Sequence, residues 1–414
     1  VVVPGSTPPN GNTIFGNYVG TNRTGDAPLA NFADGIAITA GSSTLLGLNV
    51  VSGNGGYGIS MTGPVTASQL STNQIGTNAA GTSAVPNAAG GVLFTGPTNI
   101  VLSGNTIAFN YGNGLSINSG TGIGLLSNSI FGNSGLGIDL APSSDSSFGS
   151  SVIDFEDQPD NISPPGTPFP TSYQGITWTN WLHYAPIPTL YQPHGVNAIY
   201  AAVDGATFTF GPRVFIGARF SRFTGAPGDI HFELYRSGAL VWTSASLADT
   251  PPQLTFLPSG FLGIVDEVRV RSLGSTMTVN GSAWIIDDLL FGNGITANDA
   301  GDADTGANTL QNFPIITSAI NAAGTTTVSG TVNSTPNTGI YVEFYSNTTC
   351  NASGNGEGRT FLSFLQLVTD ASGNATFSTP VGNVTGFVTA TAASNNGTGL
   401  TTSEFSACRA VTGG

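Results

Sequence analysis

The chain has 414 residues, enough for two or three domains. Charged residues make up 8%, against roughly 25% in an ordinary soluble domain; lysine is absent, and the net charge is −14. Nucleic acid would be repelled and meets no basic patch among the nine arginines, and no apolar run reaches the roughly 18 residues needed to cross a bilayer.

The chain opens VVVPGSTPPN. Val1, Val2 and Val3 favour a strand, and Pro4, Pro8 and Pro9 forbid a helix. No signal peptide is visible, so a mature chain is expected.

From Asn17 to Leu140 one motif is written five times: Asn-x-(Val/Ile), a loop, then an aliphatic strand entered through glycine. The asparagines are Asn17, Asn49, Asn73, Asn105 and Asn128, and the glycines Gly35, Gly58, Gly91, Gly114 and Gly137. Three Asn-to-Gly steps are 9 residues; Asn17 to Gly35 and Asn73 to Gly91 are 18. The two long loops open alike, NYVGTN (17–22) and NQIGTN (73–78), and with short loops the period is 23, Gly91 to Gly114 to Gly137. A fixed period of that length with period-2 aliphatic pairs predicts a parallel β-solenoid. Aliphatic side chains should stack inward, and buried asparagines should link coil to coil. The regularly placed Ile, Leu and Val argue against a disordered Gly/Ser/Asn tract. An open solenoid end exposes unpaired backbone, so the Val1–Val3 strand could be given to a neighbouring chain; a frayed terminus is the plain alternative.

After GLGIDL (135–140) the composition changes. PSSDSSFGS (142–150) reads as a linker. From Val152 to Phe291 about ten short strands, among them VIDFED, GITWTNW, RVFIGARF, IHFELYR and WIIDDLLF, alternate with turns. That pattern predicts an antiparallel jelly-roll sandwich. From Thr309 onward seven or so strands, including TTTVSGTV, IYVEFYS and GFVTATAAS, predict an immunoglobulin-like sandwich. Cys350 and Cys408 both fall there, and a disulfide between them would fit an oxidising compartment; two free buried thiols are the alternative.

The solenoid with its GTN loops, then GLGIDL, NGITANDAGDADTGANTLQNFPII (293–316), TTTVSGTVNSTPNT (325–338), GEGRTFL (356–362) and TSEFSAC (402–408), resembles a large group of bacterial secreted and surface proteins. The resemblance covers 12–140 and 293–410. It implies right-handed parallel β-helix repeats, a C-terminal β-sandwich, secretion, and a structural or adhesive role. In that group GIDL runs almost directly into N-D-x-G-D-x-D-T-G; here about 150 residues intervene. The middle segment therefore reads as an insertion, similar to the jelly-roll domain of exported surface proteins that carry a sorting tail, although no tail is visible. The expected architecture is all-β: a parallel β-helix over 1–141, an inserted jelly roll over 142–292, an acidic loop over 293–308 rejoining the β-helix, and an Ig-like sandwich over 309–414.

Candidate sites are few. Between residues 12 and 140 the charged residues are Arg23, Asp26, Asp34 and Asp139. The two aspartates Asp34 and Asp139 lie at opposite ends of the stack, so no carboxylate pair for glycan cleavage is expected on the solenoid. Asp299, Asp302 and Asp304 place hard oxygens on a glycine-containing loop, as Ca²⁺ requires; an Asx turn is the alternative. A second cation candidate joins Glu156, in Asp154-Phe-Glu-Asp157, to Asp287 and Asp288, with solvent exposure or pairing to Arg269 or Arg271 as the alternative. Trp178, Trp181 and Tyr184, near His183, Tyr191 and His194, could stack on sugar rings, against the alternative that they pack a core. The expectation is a non-catalytic extracellular structural protein that self-assembles head to tail through solenoid ends or by strand addition, with structural Ca²⁺ as the one implied ion. A carbohydrate-binding adhesin that recognises surface glycans is the second reading, and a polysaccharide-degrading β-helix enzyme the third.

Overall fold

The computed structural model describes residues 10–142, 152–158, 167–184, 197–201, 204–222, 229–247, 255–273, 284–395 and 399–414. The chain divides into two units, Val1–Asp145 with Ile295–Gly414, and Ser146–Gly294.

In the first unit, Thr13–Phe15, Leu45–Gly47, Gln69–Ser71, Gly90–Ser103, Leu115–Leu126 and Ile138–Leu140 stack in parallel, each one coil beyond the last. A second parallel sheet runs through Tyr18–Val19, Val50–Val51, Gln74–Ile75, Thr106–Ala108 and Ser129–Phe131. Register puts like on like. Leu46, Leu70, Leu102 and Leu125 form one buried column. Ile59, Val92, Leu115 and Ile138 form a second, and Ile75, Ile107 and Ile130 a third. The strand glycines are fixed by space rather than by φ: a Cβ on Gly91 would lie 2.4 Å from the Gly114 carbonyl oxygen, and one on Gly114 2.7 Å from that of Gly137.

The repeat asparagines form a ladder through the stack. Each donates its backbone N–H and its Nδ2 to the Oδ1 of the next, at 3.0 and 3.1 Å for Asn17 to Asn49 and 2.9 and 2.9 Å for Asn73 to Asn105. The other Nδ2 hydrogen goes to a carbonyl of the preceding coil, Asn73 to Leu46 at 3.0 Å and Asn105 to Leu70 at 2.8 Å. From Asn49 to Asn128 these amides are nearly inaccessible, so each pairing there avoids the cost of a buried orphan, about 1–3 kcal/mol. A parallel ladder of Asn54, Asn87, Asn110 and Asn133 runs beside it. The two long loops also stack, Ala79 N–H donating to Gly25 O at 3.0 Å.

The rest of this unit is a two-sheet sandwich. One sheet holds Asn374–Pro380, Thr325–Asn333, Ile315–Ala322 and Thr412–Gly413; the other holds Thr360–Val368, Gly339–Asn347, Phe387–Asn395 and Leu400–Thr402. Cys350 and Cys408 are joined by a disulfide. This sandwich closes the last coil. Tyr345 and Phe405 join the solenoid core, and Asn308 donates to the carbonyls of Ile123 and Thr402 at 2.9 and 2.8 Å. Three glutamates take the N–H groups the last coil would otherwise leave open. Glu357 accepts from Gly132 and Asn133, at the foot of the second ladder, Glu404 from Leu140 at 3.1 Å, and Glu343 from Ser127 at 3.0 Å. Head-to-tail stacking through two bare solenoid ends is therefore corrected: one end is covered by the chain's own sandwich. Val1, Val2 and Val3 lie outside the described residues.

In the inserted unit the sheet order is Thr167–Pro168, Trp181–Tyr184, Ala198–Ala201, Trp284–Gly292, Ala206–Arg222, Ile264–Leu273, Asp229–Arg236, Ala239–Thr243. The long Ala206–Arg222 strand pairs with Ile264–Leu273 through its first half and mostly with Trp284–Gly292 through its second. Both partners run antiparallel to it. Alternation does the sorting. Ala206, Phe208 and Phe210 enter the core while Thr207 and Thr209 face away; Val268 and Val270 enter while Glu267, Arg269 and Arg271 face away.

Candidate functional site

The acidic loop brings its three aspartates together. One carboxylate oxygen from each of Asp299, Asp302 and Asp304 lies within 4.8 Å of the others. The turn holds itself by hydrogen bonds to Asp299, which accepts from Ala303 N–H at 3.0 Å and Asp304 N–H at 3.1 Å. Asp302 accepts from Asn312 N–H at 2.8 Å and from Ser334 Oγ–H at 3.1 Å. Among the described residues Asp304 Oδ1 is shut off from solvent and accepts no hydrogen bond. Burial raises the Asp302 carboxyl to about 6, and the neighbouring Asp304 and Asp299 add to the rise. The donor set suits one hard cation, and also a carboxyl that holds its proton in mildly acidic solution.

The second acidic set does not converge in the same way. Val152–Ile153 pairs antiparallel with Trp284–Gly292, which brings Asp154 and Glu156 toward Asp287 and Asp288. Asp287 and Asp288 are buried. Glu156 accepts from Asn197 N–H at 2.9 Å and Asp287 from Asp288 N–H at 2.8 Å. Burial holds the Asp287 carboxyl well above the carboxylate range, with Asp288 and Glu156 pushing the same way and Arg219 opposing. The arginine in this set is Arg219, whose Nε sits 3.3 Å from Asp288 Oδ2. Arg269 and Arg271 lie on Ile264–Leu273, on the far side of Ala206–Arg222 in the sheet order, and pair with Glu267, Glu233 and Asp204.

The aromatic stretch is core. Trp178 and Trp181 are 2% and 3% exposed, with ring centroids 5.9 Å apart and Phe208 beside both. Their indole N–H groups donate to the carbonyls of Tyr173 at 3.2 Å and Thr207 at 2.7 Å. Trp178 and Trp181 are therefore withdrawn as sugar-stacking residues. The Tyr184 side chain, Tyr191 and His194 lie outside the described residues.

Sequence reasoning passed over the polar face of the inserted sheet. His231, Glu233 and Tyr235 alternate with buried Ile230, Phe232 and Leu234, and lie opposite Arg271, Arg269 and Glu267 in register. The side chains form a continuous row. Asp204 accepts from Arg271 Nη1 at 3.1 Å, and Arg271 Nε donates to Glu233 at 3.0 Å. Tyr235 Oη–H donates to Glu233 at 2.9 Å. The Arg269 guanidinium lies 4.0 Å over the Tyr235 ring and its Nε donates to Glu267 at 2.5 Å. Thr207 and Thr209 extend the row, opposite Arg269 and Glu267 on the next strand. Period-2 alternation in IHFELYR and EVRVRSL was the signal that could have found it.

The stacked coils and ladders define a parallel β-helix protein with antiparallel sheets. Residues 9–156 match the family described as "Right handed beta helix region", which sets the hand of the solenoid. No curated protein matches the chain. Among solved structures it is similar to a β-1,2-glucanase from Parabacteroides distasonis, at 8% identity and TM-score 0.17, over 57% of this chain and 36% of that one. It is also similar to the CBM22-1–CBM22-2 tandem domain of Xyn10C from Paenibacillus barcinonensis, at 12% identity and TM-score 0.25, over 65% and 92%. A third is the enzymatically active domain of tailspike protein 4 of bacteriophage CBA120, at 12% identity and TM-score 0.21, over 62% and 49%. The aligned part thus spans about a third of the glucanase and half of the tailspike domain. At such TM-scores no ligand or reaction passes from these proteins to this chain. The expectation that the chain is not an enzyme is corrected to the extent that a glucanase and an enzymatically active tailspike domain are among the similar structures; it is not carried further.

Proposed function

We propose that this is an extracellular polysaccharide-binding protein whose inserted unit carries the glycan-contacting face. The observation that carries the reading is the row Asp204, Arg271, Glu233, Tyr235, Arg269 and Glu267. Exposed ion pairs stabilise a fold by about 0–1 kcal/mol each, so stability alone does not account for concentrating charge here in a chain that is 8% charged. Alternating carboxylates and guanidiniums offer acceptors and donors in turn, which is what sugar hydroxyls require. The pairing also orders the guanidiniums in advance, which lowers the cost of binding. Two arginines stand against three acids in the row, and the chain carries −14 overall, so a neutral glycan fits better than a polyanion. The disulfide fits an oxidising compartment. Affinity electrophoresis in gels cast with neutral polysaccharides tests the reading. Retardation should be lost in the Arg269→Ala, Arg271→Ala double variant and kept in Arg236→Ala; equal retardation of all three would exclude this face.

A second reading, glycan cleavage, is favoured by one piece of geometry: carboxylate oxygens of Asp299, Asp302 and Asp304 lie within 4.8 Å of one another, where burial raises the Asp302 carboxyl to about 6. A proton-holding acid close to a carboxylate is the pair that glycoside hydrolysis uses. Release of reducing ends that disappears in Asp302→Asn, with binding intact, would support it; no release from any bound glycan would dismiss it.

A further inference from the structure

Trp242 stands apart from the buried Trp178 and Trp181: it is 42% exposed. It lies on Ala239–Thr243, all five of whose residues are exposed and none of which is charged. That strand ends the sheet order and pairs with Asp229–Arg236; among the described residues its other edge has no β-partner. The indole is nonetheless fixed in place. It stacks on Phe261 with centroids 5.7 Å apart and an interplanar angle of 18°. Its Nε1–H donates to the Ser259 carbonyl at 3.0 Å. The turn beneath is itself tied down. Ser259 is buried, its N–H donates to Ile216 O at 2.7 Å, and its Oγ accepts from Phe261 N–H at 3.2 Å. Gly260, at φ +69°, supplies the left-handed residue that such a turn needs.

The result is a rigid aromatic plate with one face on Phe261 and its N–H already satisfied. Beside it runs a strand edge with open backbone donors and acceptors. Packing at the edge of the core accounts for the face that lies on Phe261, but it leaves the residue 42% exposed. The register places Trp242 opposite Leu234, a core residue, and Thr243 opposite Glu233. Trp242 is therefore on the other side of its strand from the charged row and forms a separate surface.

We infer that Trp242 and the edge of its strand form a stacking subsite for one pyranose ring of a neutral oligosaccharide. The apolar C–H face of the sugar lies on the indole, and its hydroxyls meet the open backbone edge. A nucleic-acid base is a poorer fit, because the strand brings no positive charge and the chain is strongly acidic. This subsite rests on the glycan-binding reading above.

The test is a fluorescence titration of the full chain with a soluble β-glucan, a xylan and a galactomannan, run in parallel with affinity electrophoresis. Wild type should show a blue shift and reduced acrylamide quenching on binding. The change should vanish in Trp242→Phe, and Trp242→Ala should weaken binding about tenfold. Because Trp242 is exposed, circular dichroism should show both variants folded. If Trp242→Ala binds the same glycan as tightly as wild type, the inference fails while the glycan-binding reading stands. If wild type is retarded by no polysaccharide, both fail.

Discussion

Glu357 closes the second asparagine ladder from the sandwich side, and its ionisation should set a measurable pH dependence. The side chain is buried, accepting from Gly132 N–H at 2.5 Å and from Asn133 N–H and Nδ2 at 3.3 and 3.4 Å. Burial outweighs these hydrogen bonds and raises its carboxyl from 4.5 to about 7. A folded-state value above the unfolded one means the folded chain holds this proton more tightly. The stability contribution is complete below about pH 4.5 and is lost as pH rises through about 7. At about 1.4 kcal/mol per unit, the full loss is about 3 kcal/mol. Glu357→Gln keeps the shape and cannot ionise, and it keeps one acceptor oxygen for Asn133 while setting an amide NH2 against the Gly132 N–H. Gln should start below wild type at pH 4.5 by about 1–3 kcal/mol for the lost acceptor, and the difference should move in its favour by up to about 3 kcal/mol by pH 8. Glu343 and Glu404 are raised by burial too, Glu404 further by Asp139, but they cancel in the difference between variant and wild type. All four tryptophans lie in the inserted unit, so tryptophan fluorescence would miss the effect. Denaturant melts by far-UV circular dichroism, with hydrogen exchange at Gly132 and Asn133, would register it. A difference that stays flat across pH 4.5–8, or that moves in favour of wild type as pH rises, would refute the reasoning and show that the carboxylate serves as a charged acceptor.

Three further outcomes follow from the solenoid and its cover. Asn105→Ala removes the acceptor for both Asn73 donors and should cost about 2–4 kcal/mol in thermal or denaturant melts. The same change at exposed Asn17 should cost under about 1 kcal/mol. Gly114→Ala forces a Cβ to 2.7 Å from the next coil's carbonyl oxygen and should destabilise by about 1–3 kcal/mol, or abolish soluble expression. Replacing Cys350 and Cys408 by Ala opens a 58-residue separation and should cost about 2–4 kcal/mol. It should also speed exchange at Gly132, because the bridge ties down the loop that carries Glu357.

The solenoid was legible because its chemistry repeats. An asparagine recurring ahead of an aliphatic pair is visible at any spacing, and the Asn73–Asn105 rung sits where the repeat places it. The second ladder was equally present five residues further on, at Asn54, Asn110 and Asn133, but its fourth member Asn87 lies beyond an excursion loop that breaks the count. The cover over the last coil was not legible. Glu343, Glu357 and Glu404 lie more than 200 residues from the N–H groups they receive, and no periodicity links them. In the inserted unit the aromatic stretch allows both sugar stacking and core packing, and the strand phase decides: Trp178 falls in phase with Ile176 and Thr177 with Thr179, which puts the indole inward. Pairing of Arg269 or Arg271 with the Asp287 set, the alternative to a cation there, is not what the fold makes: strand order puts Arg219 beside Asp288 and gives Arg269 and Arg271 to Glu267, Glu233 and Asp204.

Binding of a neutral polysaccharide by the charged row tests the account most directly. Isothermal titration of wild type and of the Arg269→Ala, Arg271→Ala variant with one neutral and one uronate-bearing oligosaccharide separates the possibilities. Saturable heat with the neutral sugar and wild type, little with the uronate, and none with the variant is the predicted result. Heat that survives in the variant, or that appears only with the uronate, would contradict it.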